Sequence, residues 1–422
     1  AAGRPVTEAG EPGSKEASMI QEADAVIVGA GAFGTSLAYH LARLGRRPVL
    51  VDSYDLASQT SPRAAGLTAQ IRGTELMARL AMRSVGQIER FTAETGEPLT
   101  VHQPGSLKIA RTPEHEAQLR AEVARGRGLG LEIDLISPAE AHRLSPFVEP
   151  AGIRAVTYVP RDLYIEPGQL PLGYARAAGR LGATLLAHTP VTGILVEGTT
   201  VQGVCTAHGE IRAPVVVDAA GAWARLVGEL AGRRIPVVPT RHQLLITEPI
   251  AGVRPDLPIV RIVDANVYVR PDKGGLMLGG YEADPLQWDT ARLPPGFQIS
   301  DLPLDLEVLR SLAGLVLEQL PVFRELRPRE HRGGLPTMTA DGLPIVGPVP
   351  GLRGFFVASG CCVGGLTFSP AVGEVLAEWI VAGEPPLDLS LLAPDRFSPQ
   401  FESDGHLAAA ARQRYARHYS VS

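Results

Sequence analysis

Hydrophobic and polar positions near the start of the chain fall into a strand–helix–strand order. Residues 25–28 form an apolar run of strand length, and a glycine-rich turn follows. Apolar residues then recur at helical spacing through residues 37–44, and Gly45 ends that segment. A second apolar run at residues 48–51 ends on Asp52. This order predicts a βαβ unit.

The turn inside this unit carries the motif G-x-G-x-x-G at Gly29, Gly31 and Gly34. In dinucleotide-binding proteins these glycines serve the tight turn, the approach of the pyrophosphate and the packing of helix on strand. The free N–H groups at the helix N-terminus favour an anion, and Asp52 is placed to accept from a ribose hydroxyl. A packing turn without a ligand is the alternative. The complete unit with its acid in register favours the dinucleotide site.

Later segments alternate between helical and period-two patterns, which predicts an α/β fold, α+β overall. Period-two alternation over residues 236–290 predicts an antiparallel sheet. A strand at residues 355–360 ends in small residues, and a helix is expected from Pro370 to Val381. Further helices are predicted at 75–95, 113–125, 168–182, 303–320 and, as a basic polar tail, 406–419.

Composition narrows the class of protein. A chain of 422 residues is long enough for two domains, and its net charge of −5 gives no basic excess to attract nucleic acid. Three cysteines make no disulfide framework, so a cytoplasmic setting is expected, and no His or Cys spacing is typical of a metal site. No apolar run reaches the roughly 20 residues of a membrane span. Residues 1–18 are polar, Gly- and Pro-containing, and predicted to be a disordered leader without a signal peptide.

Several short motifs together resemble the D-amino-acid-oxidase-like superfamily of FAD enzymes. Within it the chain is similar to the FAD domain of dimethylglycine and sarcosine dehydrogenases and of dimethylglycine oxidase. The resemblance extends over residues 24–398. The motifs that carry it are Ala-Ala-Gly-Leu-Thr at 64–68, His-Gln-Pro-Gly-Ser-Leu at 102–107, Asp-Ala-Ala-Gly-Ala-Trp-Ala at 218–224, Arg-His-Gln at 241–243, Gly-Gly-Tyr-Glu at 279–282 and Gly-Glu-Pro-Pro at 383–386.

The resemblance implies a Rossmann-like FAD-binding domain of discontinuous segments and an antiparallel-sheet substrate domain. A short domain that binds only NAD is disfavoured, since the distant glycine-rich segments suit an extended FAD. The expected division is 19–100, 165–235 and 330–395 for FAD, 101–164 and 236–329 for substrate, and 396–422 for a helical tail. The residues expected to bind FAD are Gly29, Gly31, Ala32, Phe33, Gly34, Asp52, Ser53, Ser61, Arg63, Ala64, Ala65, Gly66, Leu67, Val191, Ala220, Gly221, Trp223, Gly334, Gly360, Val363, Gly364, Gly365, Leu366 and Thr367.

Some positions depart from the family pattern. Arg63 stands where covalent members often carry histidine, and Gly334 stands where the sarcosine-oxidase branch carries a tethering cysteine. We therefore expect non-covalent FAD. Arg63 could stabilise reduced flavin or pair with the pyrophosphate. Related enzymes continue into a folate-binding half, and the chain is expected to lack one-carbon transfer to folate. Cys361 and Cys362 are read as small packing residues beside the flavin.

Three residues are candidates for the chemistry. His242 could accept or relay the proton of the substrate ammonium, and a core histidine is the alternative. Tyr268 matches the family's active-site tyrosine, and the alternative is an aromatic residue that faces inward from a strand without a catalytic role. Arg72 matches an arginine that binds the substrate carboxylate in the sarcosine-oxidase branch, and the alternative is an arginine in a surface salt bridge. That branch's second carboxylate contact, a lysine, is Thr367 here, which puts simple sarcosine in doubt.

The resemblance implies an FAD-dependent amine oxidoreductase. Its substrate would be an N-methylated or secondary amino acid, oxidised by hydride transfer to flavin N5 and then hydrolysis of the imine. Dioxygen or an electron carrier would reoxidise the flavin. A D-amino-acid, glycine or hydroxyproline oxidase or dehydrogenase is the first alternative, and a non-catalytic FAD-binding subunit is the second. The identity of the amine and the oligomeric state stay open.

Overall fold

The computed structural model describes residues 22–420, so the predicted leader at 1–18 lies outside the described residues. Its helices are α1 (Ala32–Arg43), α2 (Glu75–Thr95), α3 (Pro113–Gly128), α4 (Pro138–Leu144), α5 (Gln169–Arg180), α6 (Ala224–Leu230), α7 (Leu306–Gly314), α8 (Gly365–Ala382) and α9 (Asp404–Ala416). Its strands are β1 (Ala25–Val28), β2 (Pro48–Val51), β3 (Val101–His102), β4 (Ser106–Ala110), β5 (Asp134–Ile136), β6 (Ala155–Val159), β7 (Tyr164–Ile165), β8 (Thr184–Leu186), β9 (Val191–Glu197), β10 (Thr200–Thr206), β11 (Gly209–Arg212), β12 (Val216–Asp218), β13 (Val238–Pro239), β14 (His242–Thr247), β15 (Ile259–Ile262), β16 (Val267–Asp272), β17 (Gly275–Gly280), β18 (Pro328–Gly334), β19 (Thr337–Met338), β20 (Ile345–Pro348) and β21 (Phe355–Ser359).

A six-stranded sheet in the order β20-β21-β12-β1-β2-β8 holds the predicted βαβ unit at its centre. Strands β21, β12, β1, β2 and β8 pair in parallel, and only the edge strand β20 runs antiparallel to its neighbour. All residues of β1 and β2 are buried, as expected for parallel strands covered on both faces. The carboxyl ends of β1, β2 and β12 therefore open toward one edge, where a ligand crevice forms in such sheets.

Helices α1, α2, α5 and α8 cover one face of this sheet and share one apolar core. Small residues allow α1 and α8 to approach closely, since a Cβ added at Gly373 would lie 2.2 Å from Ser36 Oγ. The other face is covered by α6 and by the antiparallel meander β9–β10–β11. The helical layer fixes the orientation of α1 and α8, whose N-termini both reach the ligand crevice.

An eight-stranded sheet in the order β18-β14-β17-β16-β15-β4-β6-β5 forms the second layer. Within residues 236–290 the predicted antiparallel pairing is present, since β14 pairs with β17, β17 with β16 and β16 with β15 in antiparallel directions. The substrate sheet as a whole was expected to be antiparallel, and it departs from that pattern where β15 meets a strand from outside this segment. Strands β15 and β4 run parallel, with Ile259 opposite Ser106. The alternation itself cannot reveal this, because period two is the same for both pairings. Helix α7 packs its apolar face on this sheet.

Two predicted helix bounds are also wrong. Helix α8 begins at Gly365 rather than at Pro370. The next N–H after the proline, that of Ala371, donates to Ser84 Oγ of α2 at 3.1 Å, so a contact between helices supports the backbone beside the proline. Helix α7 extends only over Leu306–Gly314 rather than over 303–320, and Asp305 caps its start.

Candidate active site

A cavity of about 490 Å³ lies between the two large sheets. Its walls come from the turn after β1, the loop at 59–69, the start of α8 and the strands β14 and β16. Every residue predicted to bind FAD or to act in catalysis lines this cavity, except Gly34 and Gly360. Residues separated by more than 300 positions along the chain thus share one site.

Gly34 and Gly360 allow close packing of the backbone that surrounds the cavity. A Cβ at Gly34 would lie 1.9 Å from the carbonyl oxygen of Gly29, so this glycine lets α1 pack on the turn that precedes it. Gly360 has φ +64° and takes the chain out of β21, where a Cβ would meet Thr339 Cγ2 at 2.6 Å. Both therefore shape the site without lining it.

The carboxylate of Asp52 is held at the carboxyl end of β2. Its Oδ2 accepts from the N–H of Ala30 at 2.7 Å and its Oδ1 accepts from the N–H of Tyr54 at 2.8 Å. Burial raises the pKa of Asp52, and these two backbone donors oppose the rise. The carboxylate lines the cavity, where its remaining lone pairs can accept from a ligand hydroxyl.

The loop that leads into α8 has an unusual backbone. Cys362 has φ +44° and Val363 has φ +64°, so two consecutive residues other than glycine adopt the left-handed region. A β-branched residue rarely adopts this conformation, and such strain persists where surrounding structure enforces it. Val363, Gly364 and Gly365 line the cavity directly. The strained loop thus presents the N-terminus of α8 to the cavity.

At the other end of the cavity, His242 bridges two tyrosines. Its Nε2 lies 2.9 Å from the hydroxyl of Tyr268, and its Nδ1 lies 2.8 Å from the hydroxyl of Tyr415. Burial lowers the pKa of His242 to about 4 and raises the pKa of Tyr268. The ring is therefore neutral at physiological pH, and both of its nitrogens are already hydrogen-bonded.

The register of the sheet explains how Tyr268 reaches His242. Tyr268 of β16 pairs with Gly279 of β17, and β14, which carries His242, lies on the far side of β17. A Cβ at Gly279 would lie 2.2 Å from the Tyr268 hydroxyl. The phenol can therefore cross β17 only because position 279 has no side chain.

Arg72 lines the cavity close to this hydrogen-bonded group. Its Nε donates to the carbonyl of Ala69 at 2.9 Å, and its guanidinium carbon lies 4.9 Å from the centre of the Phe368 ring. Within residues 22–420 no carboxylate lies within salt-bridge distance of Arg72. Two cations nearby are more deeply buried than Arg72, and both are paired, Lys108 with Glu122 at 2.7 Å and Arg261 with Asp162 at 3.6 Å.

The aromatic residues around this end of the cavity were not predicted from the sequence. The ring of His418 stacks on Tyr281 with centres 4.0 Å apart and planes 10° apart. His418, Tyr281 and Tyr419 line the cavity, and Tyr415 lies behind His242. Tyr281 falls within the Gly-Gly-Tyr-Glu motif, which could have signalled it. The others lie in or just after α9, where Leu407, Ala411 and Tyr415 recur every four residues and mark a buried face that the prediction of a basic polar tail overlooked.

Comparison with known proteins gives the family. The family described as FAD dependent oxidoreductase (DAO) matches residues 24–379 of the chain. The chain belongs to this family. It is 34% identical over 402 residues to the mitochondrial dimethylglycine dehydrogenase of Mus musculus, and 33% identical over 407 residues to the mitochondrial sarcosine dehydrogenase of Homo sapiens. These alignments cover 93% and 94% of the chain but only 46% and 44% of those proteins. The chain thus spans about half the length of these curated relatives.

Solved structures of the FAD-dependent oxidoreductase family agree with the fold. The crystal structure of L-proline dehydrogenase from P. horikoshii superimposes with a TM-score of 0.81 and 27% identity, covering 90% of this chain and 98% of that one. The predicted superfamily, the mixed α/β fold and the FAD cofactor are confirmed by these matches. The boundaries expected between the FAD and substrate domains stay a prediction.

The donors around the cavity fit the FAD of this family. Neither α1 nor α8 has a side-chain cap on its first turn from its own N-cap residue, Gly31 or Gly364, and both glycines line the cavity. Arg63 Nε and Ser359 Oγ are buried in this wall without a hydrogen-bond partner among the described residues. Such donors suit an anionic dinucleotide with polar ring edges.

Two findings concern metal ions and membrane-spanning helices. Within residues 22–420, His, Cys, Asp and Glu side chains form no group of three that could hold a metal ion. Across the same residues, no helix is both long and apolar enough to cross a membrane.

Proposed function

We propose that the protein oxidises the C–N bond of an N-methylated or secondary amino acid. The observation that carries this proposal is the pairing of two features in one cavity. Arg72 presents a guanidinium that has no carboxylate partner among the described residues, and the neutral Tyr268–His242 pair lines the same space. A small molecule with both a carboxylate and an amine matches these two groups.

Each group has a role in the proposed reaction. Arg72 binds the carboxylate, because a planar guanidinium can donate two parallel hydrogen bonds to it. Tyr268 contacts the amine nitrogen, and His242 orients the phenol. Bound FAD would accept the hydride from the carbon next to nitrogen. Water then hydrolyses the iminium product to an aldehyde and the dealkylated amine, and dioxygen or an electron carrier takes the electrons.

The relatives support this substrate class. Two of them are dehydrogenases of dimethylglycine and sarcosine, and a structural neighbour is a dehydrogenase of L-proline, a cyclic secondary amine. Thr367 stands where the resemblance led us to expect a lysine, and its hydroxyl donates to the carbonyl of Leu67 at 3.0 Å. A single guanidinium would then hold the carboxylate, which leaves room for a larger amine than sarcosine.

We also propose that the FAD is not covalently attached. Arg63 offers no nucleophile for a flavin carbon, and a Cβ at Gly334 would lie 2.9 Å from Thr60 Cγ2. Acid precipitation of the yellow protein should therefore leave the colour in the supernatant. Colour retained in the pellet would contradict this proposal and would direct attention to Cys361, which lines the cavity.

Anaerobic mixing of the holoprotein with candidate amines tests the function. N,N-dimethylglycine, sarcosine and L-proline should each be compared with glycine while the visible flavin band is recorded. Bleaching by the N-alkylated or cyclic amines, and slower or no bleaching by glycine, is the expected result. Faster bleaching by glycine would favour an oxidase of primary amines. Persistence of the band with the whole panel would contradict the proposal and favour a non-catalytic flavoprotein.

A further inference from the structure

Tyr415, near the end of α9, completes a hydrogen-bonded chain of three side chains. The chain extends from the Tyr268 hydroxyl through Nε2 and Nδ1 of His242 to the Tyr415 hydroxyl, with contacts of 2.9 and 2.8 Å. A neutral imidazole has one N–H donor and one acceptor nitrogen. One tyrosine must therefore donate to His242, and the other must accept from it.

The surroundings of the two tyrosines differ, and the difference fixes the direction of the chain. Tyr268 lines the cavity, so its hydroxyl proton can find a partner there. Tyr415 is 1% exposed and lies outside the cavity wall. Within residues 22–420 its hydroxyl has one hydrogen-bond partner, His242 Nδ1. Leaving a buried hydroxyl proton unpaired costs free energy, so the Tyr415 O–H must donate to Nδ1.

The phenol of Tyr415 is also held in place by its neighbours. Its ring contacts Tyr281 edge to face at 5.2 Å and His242 at 5.8 Å. Both partners belong to the eight-stranded sheet or the residue directly after it, whereas Tyr415 arrives from α9. The hydroxyl therefore meets Nδ1 from a fixed direction, and it has no other acceptor within reach among these residues.

We propose that Tyr415 is a positioning residue that fixes the tautomer of His242, with the proton on Nε2, and thereby makes Tyr268 a hydrogen-bond donor to the substrate. With Nδ1 accepting from Tyr415, the Nε2–H donates to the oxygen of Tyr268. The phenolic proton of Tyr268 then has no protein acceptor and points into the cavity. The last step of this inference rests on the proposed function, since it assigns the acceptor to the amine.

This direction changes the role expected for His242. A donor at Tyr268 can hold a neutral amine through its lone pair as the substrate binds. That hydrogen bond is released as the hydride leaves the adjacent carbon, because the same lone pair forms the C=N bond of the iminium. Since both nitrogens of His242 are committed, the ring orients the phenol rather than taking the ammonium proton directly. Tyr268 contacts the substrate, and Tyr415 acts only through His242.

Nitrogen NMR of the holoprotein labelled with ¹⁵N-histidine tests the tautomer without any amine or turnover. The His242 signals are assigned by their loss in His242→Gln. We expect a protonated Nε2 and an unprotonated, hydrogen-bonded Nδ1. A protonated Nδ1 in the unsubstituted protein would overturn the proposal, whatever the amine panel shows. The result is therefore independent of whether the proposed function holds.

The substitution Tyr415→Phe keeps the ring and removes only the hydroxyl. We expect the Nδ1 signal to move as its donor is lost, and flavin reduction by the best amine to slow by roughly tenfold with little change in substrate Kd. Tyr174→Phe is the matched control, because it removes an equally buried hydroxyl from another core. An unmoved Nδ1 signal in Tyr415→Phe, or the same change in Tyr174→Phe, would refute the role of Tyr415.

Discussion

At the scale of the residue, Arg72 is the clearest sign of what the cavity binds. Transfer of a charge out of water is costly unless the charge is paired, and Lys108 and Arg261 both have carboxylate partners. Arg72 instead donates to the Ala69 carbonyl and lies over the face of the Phe368 ring. Burial lowers the pKa of this guanidinium, which stays protonated all the same. An anionic ligand would supply the missing partner.

The substitution Arg72→Met should therefore weaken binding of N,N-dimethylglycine by roughly tenfold or more, the scale of a lost charge-assisted hydrogen bond. N,N-dimethylethanolamine, which has the same amine but no carboxylate, should be affected less than twofold. The dependence of the anaerobic flavin-reduction rate on the concentration of each amine gives both constants. Arg79→Met, at an exposed arginine of α2 that pairs with Glu75, is the control. Equal losses for the two amines would contradict the assignment.

Single residues were predictable where the chain places them beside a strong local pattern. Gly29, Gly31 and Asp52 follow apolar strands directly, so their place at the carboxyl ends of strands could be inferred. Tyr415 and His418 could not be found in this way. Their burial results from the packing of α9 on distant strands. The spacing of Leu407, Ala411 and Tyr415 marks an apolar face of α9, but it does not say which strands that face meets.

At the scale of the element, β17 matters for what it lacks. Its residue Gly279 leaves the gap through which Tyr268 reaches His242 on the strand beyond. A methyl group there would lie 2.2 Å from the phenolic oxygen, inside any permitted contact. The hydrogen bond between the two side chains thus depends on a third strand that contributes no side chain to it.

We expect Gly279→Ala to displace Tyr268 and slow flavin reduction at least tenfold, while FAD stays bound, because the cradle at β1 and α8 is untouched. Stopped-flow reduction and the flavin-to-protein absorbance ratio measure the two effects. Gly193→Ala is the control, since a Cβ in β9 meets Cys205 only at ordinary contact distance, 3.6 Å. Normal reduction by Gly279→Ala would show that Tyr268 needs no such passage.

Helices and strands were predictable where the interactions that determine them lie within one segment of the chain. The unit β1–α1–β2 follows from periodicity and caps within one segment. The parallel pairing of β15 with β4 joins segments far apart in sequence, and alternation does not report strand direction. Helix α8 continues through Pro370, and the N–H of the next residue, Ala371, donates to Ser84 of α2, a contact that only the packed structure provides.

At the scale of the whole molecule, buried neutral histidines link folding to pH. Burial lowers the pKa of His40 to about 3 and that of His242 to about 4. The unfolded chain binds these protons near pH 6.5, whereas the folded protein does not. Their contribution to stability is therefore complete above pH 6.5 and is lost as the pH falls toward the folded values.

At pH 5 each of these histidines should lower the free energy of unfolding by about 2 kcal/mol relative to pH 7. Urea unfolding at the two pH values should show that His40→Gln reduces the difference in the free energy of unfolding between pH 7 and pH 5 by about 2 kcal/mol. His40 lies in the helical layer, and its Nε2 has no hydrogen-bond partner among the described residues. His208→Gln, at an exposed turn, is the control. An unchanged pH dependence in His40→Gln would be evidence against a neutral buried His40.

The order of strands in the six-stranded sheet has a consequence for biosynthesis. Val26 of β1 pairs with Val216 of β12, and β12 in turn pairs with Phe355 of β21. Because a nascent chain leaves the ribosome N-terminus first, β1 and β2 emerge long before the strands that complete their sheet. An unpaired apolar edge is exposed during that delay, which favours chaperone binding. His242 meets Tyr415 later still, so the hydrogen-bonded chain of Tyr268, His242 and Tyr415 forms only after α9 has been translated.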